Sequence, residues 1–400
     1  MGREEADCRH RSPVRAWRPG HDRGRQTRRP EPHRSRRPAA GDAGTRSRSA
    51  GWWPPTAAAS KGLPSHDRRR RGHPTRRCRH GRSSGTTGPR SPLSVRFGVG
   101  LPVAHHPVPE WASSLEAITA VTRAAAAAGF EHVFVTDHPA PPQRWLAAGG
   151  HSSLDPFVAL TAVIAADPGI RVLTNLSVLG YRHPLVLAKS AATLDRLSGG
   201  RLTLGVGVGY LAAEFDALGV SFDERNDRFD HALDVLDAVW RGQGVEITEG
   251  DGRTSVVLPD PPPVQQPIPI WIGGNAGRTR QRVAERAQGW MPMPNPAAFA
   301  KTTRSPVLDG PDDLAHFIAD LHRRADEAGR DDPIDIVFVV PDGGPPGSAG
   351  FQADVHRRAI DECAALGVTG NNVTLDTTSL EHTLDVIGRY GADVIGTRSS

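Results

Sequence analysis

The stretch VRFGVGLPVAHHPVPEWASSLEAITAVTRAAAAAGFEHVFVT, residues 95–136, reads as a strand, a helix and a second strand, and the remainder of the chain repeats that unit. Phe97 to Leu101 is a short apolar run bounded by turn residues, the pattern of a buried strand. Ser113 to Ala128 is an alanine-rich helical segment that closes on Gly129, at the C′ position where a residue without a Cβ ends a helix. His132 to Thr136 resumes the apolar run. Asp155-Pro156 then opens a helix through Ala166, with Asp as N-cap and Pro at the first helical position.

Working outward, the same alternation gives strands at Ile170–Leu176, Arg201–Val208, Ile268–Ile272, Gly289–Met293, Ile334–Val340 and Asn371–Leu375. Helices follow at Pro184–Leu197, Phe222–Trp240, Gly277–Ala287, Pro311–Ala328, Gly350–Leu366 and Ser379–Tyr390. A polar excursion at 242–267, ending in Pro259-Asp260-Pro261-Pro262-Pro263-Val264-Gln265-Gln266-Pro267, predicts an inserted hairpin and a stiff connection. Eight strand-helix units in the 306 residues from Val95 point to an α/β fold, a closed (β/α)8 TIM barrel. Its site should lie at the C-terminal ends of the strands.

Upstream of Val95 the pattern stops. Residues 1–94 hold 24 Lys and Arg against 7 Asp and Glu, a net charge of +17; residues 95–400 hold 25 against 37, a net of −12. The overall charge of +5 describes neither part. The first part has almost no aliphatic residues, so it cannot bury enough apolar surface to offset its ordering entropy, and a disordered extension is expected. One reading makes it a basic arm attracted to nucleic-acid phosphates, with Trp52 and Trp53 available for stacking. The other makes it GC-rich DNA translated from a start placed too far upstream: Arg outnumbers Lys 46 to 3, and no Met occurs between Met1 and Met291.

The N-terminus has no continuous apolar core of signal-peptide type, and no stretch is long enough to span a membrane as a helix. Cys8, Cys78 and Cys363 are scattered and suggest neither a disulfide framework nor a zinc cluster. A reducing cytoplasm is the default expectation.

Chemically suggestive residues fall just after strands: His105-His106, Asp137-His138, Thr174-Asn175-Leu176-Ser177, Gly209-Tyr210 and Gly273-Gly274-Asn275. His138 beside Asp137 could exchange a proton near neutral pH; alternatively Asp137 caps the next turn and His138 is only a polar strand terminus. Gly205-Val206-Gly207-Val208-Gly209 sets three glycines on one face, which would let a flat ligand approach the backbone or merely suit barrel packing. It is not the G-x-G-x-x-G dinucleotide fingerprint, because Tyr210 follows. Gly273-Gly274-Asn275-Ala276-Gly277 enters a helix bearing Arg278, Arg280 and Arg282, whose free N–H groups would hold a phosphate; a plain turn is the alternative. A metal site on His105, His106, Asp137 and His138 is disfavoured, since adjacent strand residues face opposite ways.

Val133-Phe134-Val135-Thr136-Asp137-His138-Pro139, Tyr181-Arg182-His183-Pro184, Ala192-Thr193-Leu194-Asp195-Arg196-Leu197-Ser198-Gly199-Gly200-Arg201, Gly205 to Tyr210 and Trp271-Ile272-Gly273-Gly274-Asn275 together resemble the luciferase-like flavin and deazaflavin oxidoreductases. Within that superfamily the chain is most similar to the actinobacterial branch assigned to coenzyme F420, and the likeness runs in order through nearly all of residues 95–400. The resemblance implies a bacterial luciferase-like barrel holding an isoalloxazine-like ring in its mouth, with its phosphate at Gly273-Gly274. It implies cofactor contacts from Asp137, Thr174, Asn175, Ser177, Gly207, Val208, Gly209, Tyr210, Gly273, Gly274 and Asn275, with His138 facing the ring as the catalytic residue.

It further implies a non-prolyl cis peptide near Thr174-Asn175, Trp145 as an aromatic lid, and pairing of two copies as a dimer. The reaction implied is hydride transfer between reduced F420 and a small organic substrate; the alternative is an FMN-dependent monooxygenase. One departure stands out: the sugar-phosphate dehydrogenases of the superfamily carry an acid directly after the strand-four glycines, where this chain has Tyr210.

Overall fold

A computed structural model of the chain describes residues 14–15, 95–250 and 252–398. The expected disordered extension therefore lies outside the described residues, apart from Val14–Arg15, which pair with Val245 and Glu246. From Val95 onward the eight expected strands are present: β1 Arg96–Gly100, β2 His132–Val135, β3 Arg171–Thr174, β4 Leu202–Gly207, β5 Ile270–Gly273, β6 Gly289–Met291, β7 Asp335–Phe338 and β8 Gly370–Val373. All neighbours run parallel, in the order β3-β2-β1-β8-β7-β6-β5-β4. The ring closes where Val172 and Leu173 of β3 pair with Leu202 and Thr203 of β4. The chain is thus a closed eight-stranded barrel wrapped by helices.

Local chemistry sets the helix ends as the sequence suggests. Asp155 Oδ1 accepts from the backbone N–H groups of Phe157 and Val158 at 2.9 and 3.1 Å, satisfying two of the first-turn donors ahead of the Pro156–Ala166 helix. Gly129 takes φ +90° after the Leu115–Ala127 helix, a conformation in which a Cβ would be strained. The excursion after the Arg225–Trp240 helix contains the expected hairpin, Val245–Thr248 against Thr254–Val257. Fully buried Asp195 then accepts from the Val264 and Gln265 backbones and the Gln265 amide, pinning the proline-rich connection to the barrel wall.

Two apolar clusters result. The larger lies between strands and helices and includes Val133 and Val135. The smaller, Phe134, Leu173, Trp271, Met291 and Val337, fills the barrel interior, with Leu176 against it. The two-residue period of β2 explains the split: His132 and Phe134 face inward, Val133 and Val135 outward. Beneath Phe134, His132 Nε2 is 2.7 Å from Asn372 Oδ1. Among the described residues, no helix is long and apolar enough to cross a membrane.

Candidate active site

His138 follows β2 at the C-terminal end of the barrel, and its Nδ1 lies 3.2 Å from Glu214 Oε2. Glu214 belongs to a short helix, Ala212–Ala217, just beyond β4, and is fully buried. The same carboxylate accepts from the Tyr181 hydroxyl at 2.8 Å and from the Ala140 N–H at 3.0 Å. Burial works to raise this carboxyl, but the hydrogen bond and charge of His138, with those from Ala140 and Tyr181, outweigh it and hold the group below the usual carboxylate range. Because Nδ1 is the atom facing the carboxylate, Nε2 lies on the side of the ring away from Glu214.

Aromatic rings surround that imidazole. The Trp145 ring, on the Gln143–Ala147 helix, is centred 4.8 Å away, His151 4.9 Å and Tyr210 6.4 Å. The His151 pKa is lowered to about 4, first by burial and then by the neighbouring His138. Trp145 reaches this place because Gly150 offers no Cβ; one built there would lie 2.4 Å from the indole. The structure brings His138, Trp145 and Tyr210, singled out in the sequence, together with Glu214, Tyr181 and His151, which were not.

The other expected site residues are spread between the mouth and the scaffold. Asp137, nearly buried, forms an ion pair with Arg182 and accepts from Ser177 Oγ at 3.2 Å; Arg182 also holds Asp155 at 2.8 Å. Asp137 and Ser177 therefore tie the β2 and β3 loops together. Thr174 is buried and its hydroxyl donates to the Gly205 carbonyl at 2.7 Å. Half-buried Asn175 continues the ladder, its N–H donating to the Val135 carbonyl at 2.8 Å. The non-prolyl cis bond lies one position later than the resemblance implied, at Asn175-Leu176.

The glycine run receives a protein neighbour. A Cβ on Gly207 would lie 2.3 Å from Leu176 Cδ1, and one on Gly273 2.1 Å from Leu176 Cδ2. A Cβ on Gly205 would meet the Thr174 carbonyl at 2.0 Å. These faces accommodate close internal packing. Val208 and Gly209 are half-buried beside it, Gly209 with φ +82°, and Tyr210 is 38% exposed at the rim.

At the β5 turn, Gly274 takes φ +116° and its carbonyl accepts from Trp290 Nε1 at 2.9 Å. Asn275 is fully buried: its amide donates to the Met293 carbonyl at 2.8 Å and its Oδ1 accepts from the Met293 N–H at 3.0 Å. The Gly277–Arg286 helix begins without a side-chain cap. Its arginines face acids on flanking helices. Arg278 and Arg282 reach Asp230 at 2.6 Å, and Arg280 reaches Asp320 at 2.6 Å. Of the histidines after β1, His105 is half-buried, its pKa lowered by burial against the opposing pull of Asp376, and His106 is exposed. Among the described residues, no group of three or more His, Cys, Asp or Glu is placed to hold a metal ion.

Comparison with known proteins bears on the family and the fold. A family model described as luciferase-like monooxygenase matches residues 95–341. An uncharacterized protein of Mycobacterium tuberculosis is 30% identical over 194 residues, 48% of this chain and 62% of its own length. An F420-dependent glucose-6-phosphate dehydrogenase of Beutenbergia cavernae is 37% identical over 177 residues, 42% of this chain and 49% of its own. The chain thus spans 49% to 62% of the length of these relatives, less than two thirds of either. The crystal structure of a monooxygenase from Streptomyces bottropensis superposes with a TM-score of 0.61 at 20% identity, over 76% of this chain and 99% of that one.

Proposed function

We propose, from the premise that this chain belongs to the luciferase-like monooxygenase family, that it is an oxidoreductase transferring a hydride between reduced coenzyme F420 and a small organic substrate. The observation that carries the reading is the His138–Glu214 pair, 3.2 Å apart at the strand ends inside a wall of aromatic rings. The F420-dependent dehydrogenase among its relatives supports this cofactor.

The residues present fit such a group. Trp145, His151 and Tyr210 around His138 give a mouth with planar walls. The uncapped first turn at Gly277 offers N–H donors for a phosphate. When bound, F420 supplies the hydride chemistry, at C5 of its ring. The protein's share is orientation and proton handling. Glu214 holds the His138 ring through Nδ1–H, so that Nε2 accepts the proton as an alcohol becomes a carbonyl and returns that same proton in the reverse direction. Trp145 and His151 cover the imidazole and keep bulk water from it. Tyr210 stands at the rim, where the substrate enters.

Fluorescence titration of the full chain with F420 and, separately, with FMN tests the assignment, with His138→Ala as control. Preferential F420 binding, followed by substrate-dependent F420 turnover that His138→Ala lowers about 100-fold or more, is expected. Preference for FMN with oxygen consumption would move the protein to oxygenation, and binding of neither would end the cofactor assignment.

A further inference from the structure

Thr136 closes β2 with a hydroxyl that the protein does not use. Its Oγ1 is buried and has no hydrogen-bond partner, the only such side-chain atom among the described residues. The period of the preceding strand places it. His132 bonds to Asn372 and Phe134 packs within the barrel, whereas Val133 and Val135 pack outward, so the two-residue period directs Thr136 inward. The Phe134 carbonyl accepts from the Leu101 N–H at 3.0 Å and the Val135 carbonyl from the Asn175 N–H at 2.8 Å. Thr136 is the first residue past this last rung, at the C-terminal end of the barrel strand and two positions before His138.

A buried hydroxyl without a partner destabilises a fold, and a methyl of the same shape in its place would be neutral or better. Resting on the reading that the mouth holds the planar cofactor, we propose that Thr136 Oγ1 is a cofactor-binding group, donating its hydrogen to an acceptor atom of the bound ring. The hydroxyl is then satisfied only in the loaded protein. Thr136 and His138 then serve the reaction from one chain segment, two positions apart, the first fixing the ring's position and the second managing the substrate's proton.

The test compares wild type, Thr136→Val and Thr136→Ser in two measurements: melting of the cofactor-free protein, and fluorescence titration with F420. Thr136→Val should melt at the same or a higher temperature than wild type, yet bind F420 about tenfold more weakly. Thr136→Ser should stay within about twofold of wild-type affinity, because the donor is retained. If the cofactor-free Thr136→Val protein melts lower, the hydroxyl serves the fold through a bound water and the proposal is overturned. Unchanged affinity in Thr136→Val overturns it as well. A wild type that binds neither F420 nor FMN removes the cofactor reading itself, and this assignment with it. A wild type that prefers FMN changes the reaction class, and the same loss is then expected for FMN.

Discussion

Glu214 and His138 meet across 3.2 Å although 76 positions separate them in the chain. They stand on the loops after β4 and β2, and Tyr181, from the segment after β3, bonds to the same carboxylate between them. One buried acid therefore gathers three successive barrel loops around a single imidazole. A carboxylate can only accept, so it fixes the Nδ1–H tautomer of His138 and leaves Nε2 on the side away from it.

Glu214→Gln reverses that logic while keeping the shape. The amide can present an N–H to Nδ1, which favours the other tautomer and turns Nε2 from acceptor to donor. We expect turnover to fall about 10- to 100-fold, with a displaced pH–rate profile and F420 affinity within about threefold of wild type. A variant that loses affinity and turnover together, with an unaltered profile, would show that Glu214 only supports the fold.

His132 predicts an acid limit to stability. Its pKa is lowered to about 4, first by burial, then by Arg96 and Arg171, against the raising effect of its bond to Asn372. The folded protein thus keeps the ring neutral where the unfolded chain takes up a proton. The unfolded state binds more protons between pH 6.5 and about 4, so stability falls as pH drops through that window, by up to about 3 kcal/mol from this residue. In urea unfolding at about pH 7 and about pH 4, His132→Asn should lose less stability on acidification than wild type. Equal losses would show that other groups set the limit.

Asp230 accounts for the arginine-rich helix. Arg282, 6% exposed, meets it through Nε at 2.6 Å and Nη2 at 3.0 Å, and Arg278 reaches it at 2.6 Å. Asp230→Asn leaves Arg282 buried without its counter-charge. Because Asp230 is itself partly exposed, the expected cost is about 2 kcal/mol, below that of a fully buried pair, and Tm should drop by about 5 °C. F420 affinity should be unchanged; a large loss of affinity would tie these arginines to the phosphate.

The barrel was legible because its signals are local: each strand is a short apolar run, and Gly129, Asp155-Pro156 and Gly199 mark helix ends by backbone chemistry. His138 was legible as a histidine at a strand end. Glu214 was not, since one acid in Leu211-Ala212-Ala213-Glu214 looks like any exposed helical residue, and its burial depends on β2 and β3 folding beside it. The same holds for His151, which follows two glycines in a loop. The ion pairs of Arg278 and Arg282 were not legible because their partners lie about 50 positions away, on the helix Arg225–Trp240. Thr136 lay within the quoted motif, but only the packed barrel shows that its hydroxyl lacks a partner.

Leu176 offers the sharpest check on the glycines. Its two methyl groups fork between β4 and β5, Cδ1 toward Gly207 and Cδ2 toward Gly273, so it cannot turn from one without approaching the other. Gly207→Ala should therefore overpack the barrel and destabilise it by about 1–3 kcal/mol. Leu176→Ala alone should also destabilise, by removing atoms packed against the inner apolar cluster. Combined, the two should cost about 1–2 kcal/mol less than the sum of the singles, because the second change vacates the space the first needs. Additive losses would mean that the alanine methyl meets something other than Leu176. A fully stable Gly207→Ala protein that no longer binds F420 would return the glycine face to the ligand, as the sequence alone had allowed.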